Sequence, residues 1–488
     1  MKSKKNIIMK QYLFIIILTT GLLVSCGDDF LEPIPESAVS SENYFTNDEE
    51  IETGVIGMYD AIQGINSNNL DDNFSVQREY YLTEMRSDNT RTKSSEGEAA
   101  QFESYTVTAS NGIVSNYYIS FYEIIYRANL VLSSLDAASA DKADSFEGEA
   151  KFVRAYAYFN LVRLYGDIPL IDRLTGPLEK DVAYTRVASS TIYDLIISDL
   201  QTAVTNLDNS YKNRASKAGA QTLLAKVYLT LGINYSEAQT LLESVMSSGF
   251  SLEPNFKDVF YTENNDEVIF AVGYTSDLTS DSQNISAEWL NSVGRTSGVN
   301  YVTADARAAL DNFGGNRTLY SYRQDAAQPT QYQVAKYIPN GDTDLGIEPT
   351  ASNPELAGND WIVLRYADVL LMHVEAILAG GQETTATAAL NSFQQVRNRA
   401  GLTTPVTSVT KQELLDERRV ELAFENHRFF DLVRFGVAQE VLSSYSDANG
   451  YSFNATDLLL PIPQREINLS NGMMSQNPIL IIKNLKNN

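Results

Sequence analysis

A single cysteine in 488 residues, Cys26, denies this chain a disulfide framework, so its fold must be held by a packed core. The length suits one large domain or two to three smaller ones. Ahead of the cysteine stand Lys2, Lys4, Lys5 and Lys10, then an apolar run from Tyr12 to Val24. A basic start, a short apolar stretch and a small residue at Ser25 describe a secretory leader. The run is shorter than the roughly 20 residues a membrane-spanning helix needs. The expected organisation is a leader at 1–25, a tether at 26–47 and a single domain at 48–488.

Leu23-Val24-Ser25-Cys26 resembles the lipobox of bacterial lipoproteins. That resemblance implies lipidation of Cys26 as the first residue of the mature chain. Without residues 1–25 the balance is 33 basic against 62 acidic residues, a net charge of −29. Such a surface repels phosphate backbones, which excludes nucleic acid as a partner. It offers no basic patch to anionic lipid either, so attachment rests on Cys26. Two separated histidines, His373 and His427, do not make a zinc site. No cofactor is expected; a structural calcium is left open.

Helical periodicity dominates the rest of the chain. Ile51, Val55, Met58, Tyr59 and Ile62 mark a first helix, capped by Asn47 or Asp48 and ended by Gly64. Further helices are predicted over Tyr117–Leu135, Phe146–Tyr165, Ser190–Leu207 and Ala215–Leu231. Later ones cover Ile362–Leu378, Thr384–Ala400 and Lys411–Phe435. Residues 66–116 read as a long loop, 458–488 as irregular chain, and 251–354 as a loop-rich insertion with a short strand at 268–272. An internal repeat pairs Ala225 and Tyr228 with Ala238, Leu242 and Val245. The same spacing pairs Ala376 and Ala379 with Ala389, Phe393 and Val396. Small residues on paired helices let backbones approach closely, which suits tetratricopeptide-like units. The fold class is therefore mainly α, with a helical scaffold at about 48–250 and 355–436.

Within Glu413–Gly436, Glu417, Arg418, Glu421, Glu425, Arg428, Asp431 and Arg434 alternate with Leu422, Phe424, Phe429 and Leu432. Arginine lowers the pKa of a neighbouring carboxylate and makes it a poor general acid, so this is read as a structural ion network. The segment resembles the C-terminal signature of the SusD/RagB family of Bacteroidetes outer-membrane lipoproteins. Other stretches match in the family's order: Cys26-Gly27-Asp28-Asp29-Phe30-Leu31; Glu149 to Phe152 through Tyr165 to Leu170; Leu364 to Leu371 with Glu375-Ala376; Val396 to Gly401; and Leu460 to Pro463. The resemblance implies four tetratricopeptide-like helix pairs supporting a loop-rich half. It also implies residence on the outer face of the outer membrane, as a lid on a SusC-like TonB-dependent transporter involved in polysaccharide utilisation. Relatives bind glycans, and some bind peptides.

These motifs are scaffold and locate no ligand. A sugar ring has an apolar face and a rim of hydroxyls, so its site needs an aromatic platform beside planar hydrogen-bonding groups. Trp289 and Tyr301, with Arg295, Asn284 and Asn291, form the candidate set, and Arg86, Asp88 and Asn89 of the early loop are candidates for the rim. The family's ligand site also draws on this early loop and the later insertion. No Gly-x-Ser-x-Gly, metal-spaced histidine pair or phosphate loop is present. The expected role is a non-catalytic glycan-capture lipoprotein delivering oligo- or polysaccharide to its transporter. Alternatives are a peptide-binding protein of the same system and a glycoside hydrolase.

Overall fold

The computed structural model describes residues 45–65, 74–92, 97–176, 178–290, 300–325 and 328–477; Cys26, Asn291 and Arg295 lie outside them. Helix α1 (Asp48–Gln63) begins where the Asn47 side chain accepts from the amides of Glu49 and Glu50, and it stops at Gly64. Helix α2 (Gly112–Ser133) starts five residues earlier than its apolar spacing suggests, because Asn111 caps the Val114 amide. Next come α3 (Ala143–Tyr165), α4 (Ser189–Asn206), α5 (Lys217–Leu231) and α6 (Tyr235–Met246). Helix α3 is buried almost throughout its second half, and it runs very close to the end of α4. A Cβ on Gly148 would lie 2.9 Å from Leu207, so only glycine fits that crossing.

Within the insertion lies α7 (Ala304–Phe313), and beyond it come α8 (Tyr366–Leu378), α9 (Thr387–Arg399), α10 (Lys411–Glu421), α11 (Arg428–Arg434) and α12 (Ala438–Asn449). The two repeats stack in register: α5 packs on α6, α6 on α8, and α8 on α9. Ala225, Tyr228, Ala238, Ala376 and Ala389 are all buried in these contacts. His373 joins the repeats, its ring nitrogens lying 2.8 Å from Ser392 Oγ on α9 and 3.3 Å from Glu243 on α6. Ala379 departs from the pattern. It follows the last turn of α8 in left-handed conformation (φ 47°) and is exposed, so it is a helix stop rather than an interface residue.

Four further expectations are corrected. The predicted helix at 362–378 opens as a strand, because Trp361, the β-branched Ile362 and Leu364 pair across to the earlier apolar run. Strand β2 (Val268–Val272) is antiparallel to β6 (Trp361–Arg365), and the helix begins only at Tyr366. The predicted helix at 411–435 is two helices, since Phe424 (φ 66°) and Asn426 (φ 63°) turn the chain between α10 and α11. The predicted loop at 66–116 holds buried helical turns around Tyr80, Tyr81, Leu82 and Met85. It also contains strand β1 (Thr90–Thr92). Residues 464–469 of the expected irregular C-terminal stretch form a short helix.

Strand β1 is antiparallel to β3 (Asn300–Val302), with Arg91 opposite Tyr301; β4 (Tyr322–Gln324) is antiparallel to β5 (Tyr332–Val334). The alternating charges of the C-terminal signature explain what holds these loops in place. Glu421 on α10 accepts from Arg317 (2.8 Å), Arg365 (2.6 Å) and Arg399, all buried. Glu425 bonds Arg365 at 2.6 Å and takes the ammonium of Lys336. Arg418 spans Asp431 (2.8 Å) and Asp368 (2.7 Å). Lys336 and Arg317 belong to the insertion, so the insertion is pinned to α10 by charge. Removing one partner of such a buried pair typically costs about 3–5 kcal/mol, because the other charge is left without compensation.

Candidate functional site

Most of the residues expected at the site serve the core instead. Trp289 ends a single helical turn at Ile285–Glu288 and is wholly enclosed. Its ring lies 5.4 Å from Tyr80 and 6.1 Å from Phe424, so it wedges the early segment against the α10–α11 break and shows no face to solvent. Asn284 is buried beside it, with its side-chain amide 3.3 Å from Glu288. Arg86 stacks 4.1 Å over Phe429 and donates to the carbonyls of Leu82 and Asp457. Asp88 sits between Arg428 (2.8 Å) and Arg419 (2.9 Å). Burial pushes its carboxyl up, but the two guanidinium groups hold it well below the usual carboxylate range. Asn89 accepts from Arg419 at 3.1 Å. None of these five side chains offers a rim to a sugar; together they clamp the early segment onto α10 and α11.

Tyr301 stands differently. The β1–β3 pairing carries it to the surface half-buried, 5.4 Å from the guanidinium of Arg91. Arg91 in turn lies 3.4 Å from Glu103, which accepts from the Tyr451 hydroxyl (2.7 Å) and the Thr92 amide (2.6 Å). Strand β5 packs beside β3 and repeats the arrangement. Arg307 lies 3.7 Å over Tyr332, whose ring meets Tyr322 edge-on at 5.8 Å. The Tyr322 hydroxyl donates to Asp311 at 2.6 Å.

Two arginine-backed tyrosines thus lie side by side where the early segment meets the insertion. Burial raises the Tyr301 phenol, with Arg91 opposing the shift; burial and a carboxylate acceptor push Tyr322 and Tyr451 up to about 12. At physiological pH all three stay protonated and keep their hydroxyls as donors. Nearby, Asn300 is fully buried, and its side-chain nitrogen and oxygen have no hydrogen-bond partner among the described residues. Nε of Arg307 likewise has no hydrogen-bond partner there. Half-exposed rings backed by guanidinium and amide groups can stack on the apolar face of a pyranose and bond its hydroxyls.

Arg91, Arg307, Tyr322 and Tyr332 were not singled out from sequence. The available signal is the ring-bearing three-residue strands Asn300-Tyr301-Val302, Tyr322-Arg323-Gln324 and Tyr332-Gln333-Val334, which place a side chain on alternate faces. Among the described residues no group of three or more His, Cys, Asp or Glu is placed to hold a metal ion. No described helix is long and apolar enough to cross a membrane.

Comparison with known proteins is consistent along the chain. A profile of the SusD family matches residues 247–479, and one described as starch-binding associating with outer membrane matches 29–229. SusD-like protein P2 of Formosa agariphila is 28% identical over 96% of this chain and 100% of its own length. Starch-binding protein SusD of Bacteroides thetaiotaomicron is 24% identical over 67% of this chain and 72% of its own. Among solved structures, a laminarin-binding SusD-like protein superimposes with a TM-score of 0.72 at 26% identity, covering 89% of this chain and all of that one.

Proposed function

Because this chain belongs to the SusD family, we propose that it captures glycan at the face formed by Tyr301–Arg91 and Tyr332–Arg307. The observation carrying the proposal is the β1–β3 ladder, which sets an arginine behind an accessible tyrosine at the meeting of the two segments. The laminarin-binding and starch-binding relatives support carbohydrate as the ligand class. The reading is of binding without hydrolysis. Glycoside hydrolysis needs two carboxyl groups about 5–10 Å apart across the bond. Of the carboxylates at this face, Glu103 is already engaged by Arg91, Tyr451 and Thr92, and Asp311 by the Tyr322 hydroxyl. In the same reading Cys26 carries the lipid, the protein faces the cell exterior, and bound glycan passes to a SusC-like TonB-dependent transporter beneath. Delivery works by opening of this protein as a lid about its N-terminal tether.

Affinity electrophoresis in gels containing laminarin, xyloglucan or starch tests the central claim. Retardation without released products is expected for the native protein. Tyr301→Ala should weaken binding about tenfold, the equivalent of one lost stacking contact. Unchanged retardation in that variant would remove Tyr301 from the site, and released sugar would make the protein an enzyme.

A further inference from the structure

Helices α7 and α12 flank an open groove of about 680 Å³. That volume falls within the roughly 300–1,000 Å³ of small-molecule sites, whereas the cavity beside β2 holds about 230 Å³. One wall carries Ala308, Ala309 and the half-exposed Phe313; the other carries Val441, Ser444 and Ala448. Asp88, Arg419 and Tyr445 also line it, and Asp305 and Glu440 are exposed at its edges.

The groove adjoins the tyrosine face through α7 and Tyr445. Helix α7 leaves β3 through Thr303 alone, whose hydroxyl donates to the Asp88 carbonyl and caps the Ala306 amide. Tyr445 belongs to both regions: its side chain lines the groove, while the charges of Glu103 and Arg91 act on its hydroxyl. A chain bound across Tyr301 therefore has a path into the groove. The small alanine side chains leave room for a flat ring, Phe313 offers an apolar face, and Ser444, Asp305 and Glu440 offer acceptors for hydroxyls. The guanidinium of Arg419 is already spent on Asp88 at 2.9 Å and Asn89 at 3.1 Å. A sulfate or uronate would meet two edge carboxylates and no uncommitted cation on this lining.

From this geometry we infer that the α7–α12 groove extends the sugar-binding face and takes further units of a neutral glycan chain. The inference rests on the glycan reading above. Its test uses Ser444→Trp and, independently, Ala308→Trp, both at exposed helical positions where the fold tolerates a large side chain. Calorimetric titration compares a trisaccharide with a longer fragment, about eight units, of whichever of laminarin, xyloglucan or starch retards the native protein. The native protein should bind the longer fragment about tenfold more tightly, and each tryptophan should abolish that gain while trisaccharide binding stays unchanged. A length gain surviving both substitutions, or absent from the native protein, overturns the groove. Polyuronate binding as tight as that of the neutral chain overturns the selectivity. Tyr301→Ala separates the two readings: if it too changes nothing, or if no neutral polysaccharide is retained, the sugar face itself fails.

Discussion

Glu79 shows how burial acts on a single side chain in this protein. Its carboxyl is pushed up to about 7 by removal from water, with Arg163 and Lys226 only partly opposing the shift. In the unfolded chain a glutamate titrates near about 4.3. Between those values the native state keeps a proton that the unfolded state has lost. Native stability therefore falls as pH rises through this window and levels off above about 7. Glu84, also pushed up to about 7 by burial, adds to the same slope. Glu79→Gln cannot titrate, so its urea-unfolding free energy should fall less between about pH 5 and about pH 7 than the native protein's. Equal slopes would show that Glu79 is charged in the folded state throughout. The contrast with Asp88 and Glu421 is instructive: equally buried, they are ionised because arginines surround them.

Among elements, the stacked helix pairs carry the most legible signal and the sharpest test. Ala238 is fully buried where α6 meets its neighbours, and a leucine there overfills the interface. Ala238→Leu should cost about 1–3 kcal/mol in chemical denaturation. Ala379→Gly should instead gain up to about 1 kcal/mol, since it relieves a left-handed alanine. The start and stop of α1 were readable because Asn47 and Gly64 act locally. The strand at 361–365 and the break at 422–427 were not, because each depends on a partner distant in sequence: β2 for the first, Trp289 against Phe424 for the second. The site divides along the same line. Tyr301 was legible as an aromatic in a polar insertion. That Trp289 and Arg86 would be internal depended on tertiary neighbours which composition and spacing do not reveal.

At the scale of the whole molecule, residues 47–488 cluster as one compact unit. The early segment, the insertion and α12 each contribute to the tyrosine face and its neighbouring groove, so both form only when these segments have folded together. The proposed attachment through Cys26 is separable from that folding. Cys26→Ala should release the protein from the membrane fraction into soluble extract, as followed by detergent partitioning and mass spectrometry of the mature N-terminus, while its binding to polysaccharide gels is retained. Recovery of the variant in the membrane pellet would place the anchor elsewhere.

The charged joints that fasten the early segment and insertion, Asp88 with Arg428 and Lys336 with Glu425, are buried, whereas the rings of Tyr301 and Tyr332 are half-buried. Changing a surface tyrosine leaves those fastenings untouched. On the proposed glycan role, the same chassis could thus be re-addressed to a different polymer by exchanging a few solvent-facing side chains, with no new folding problem to solve.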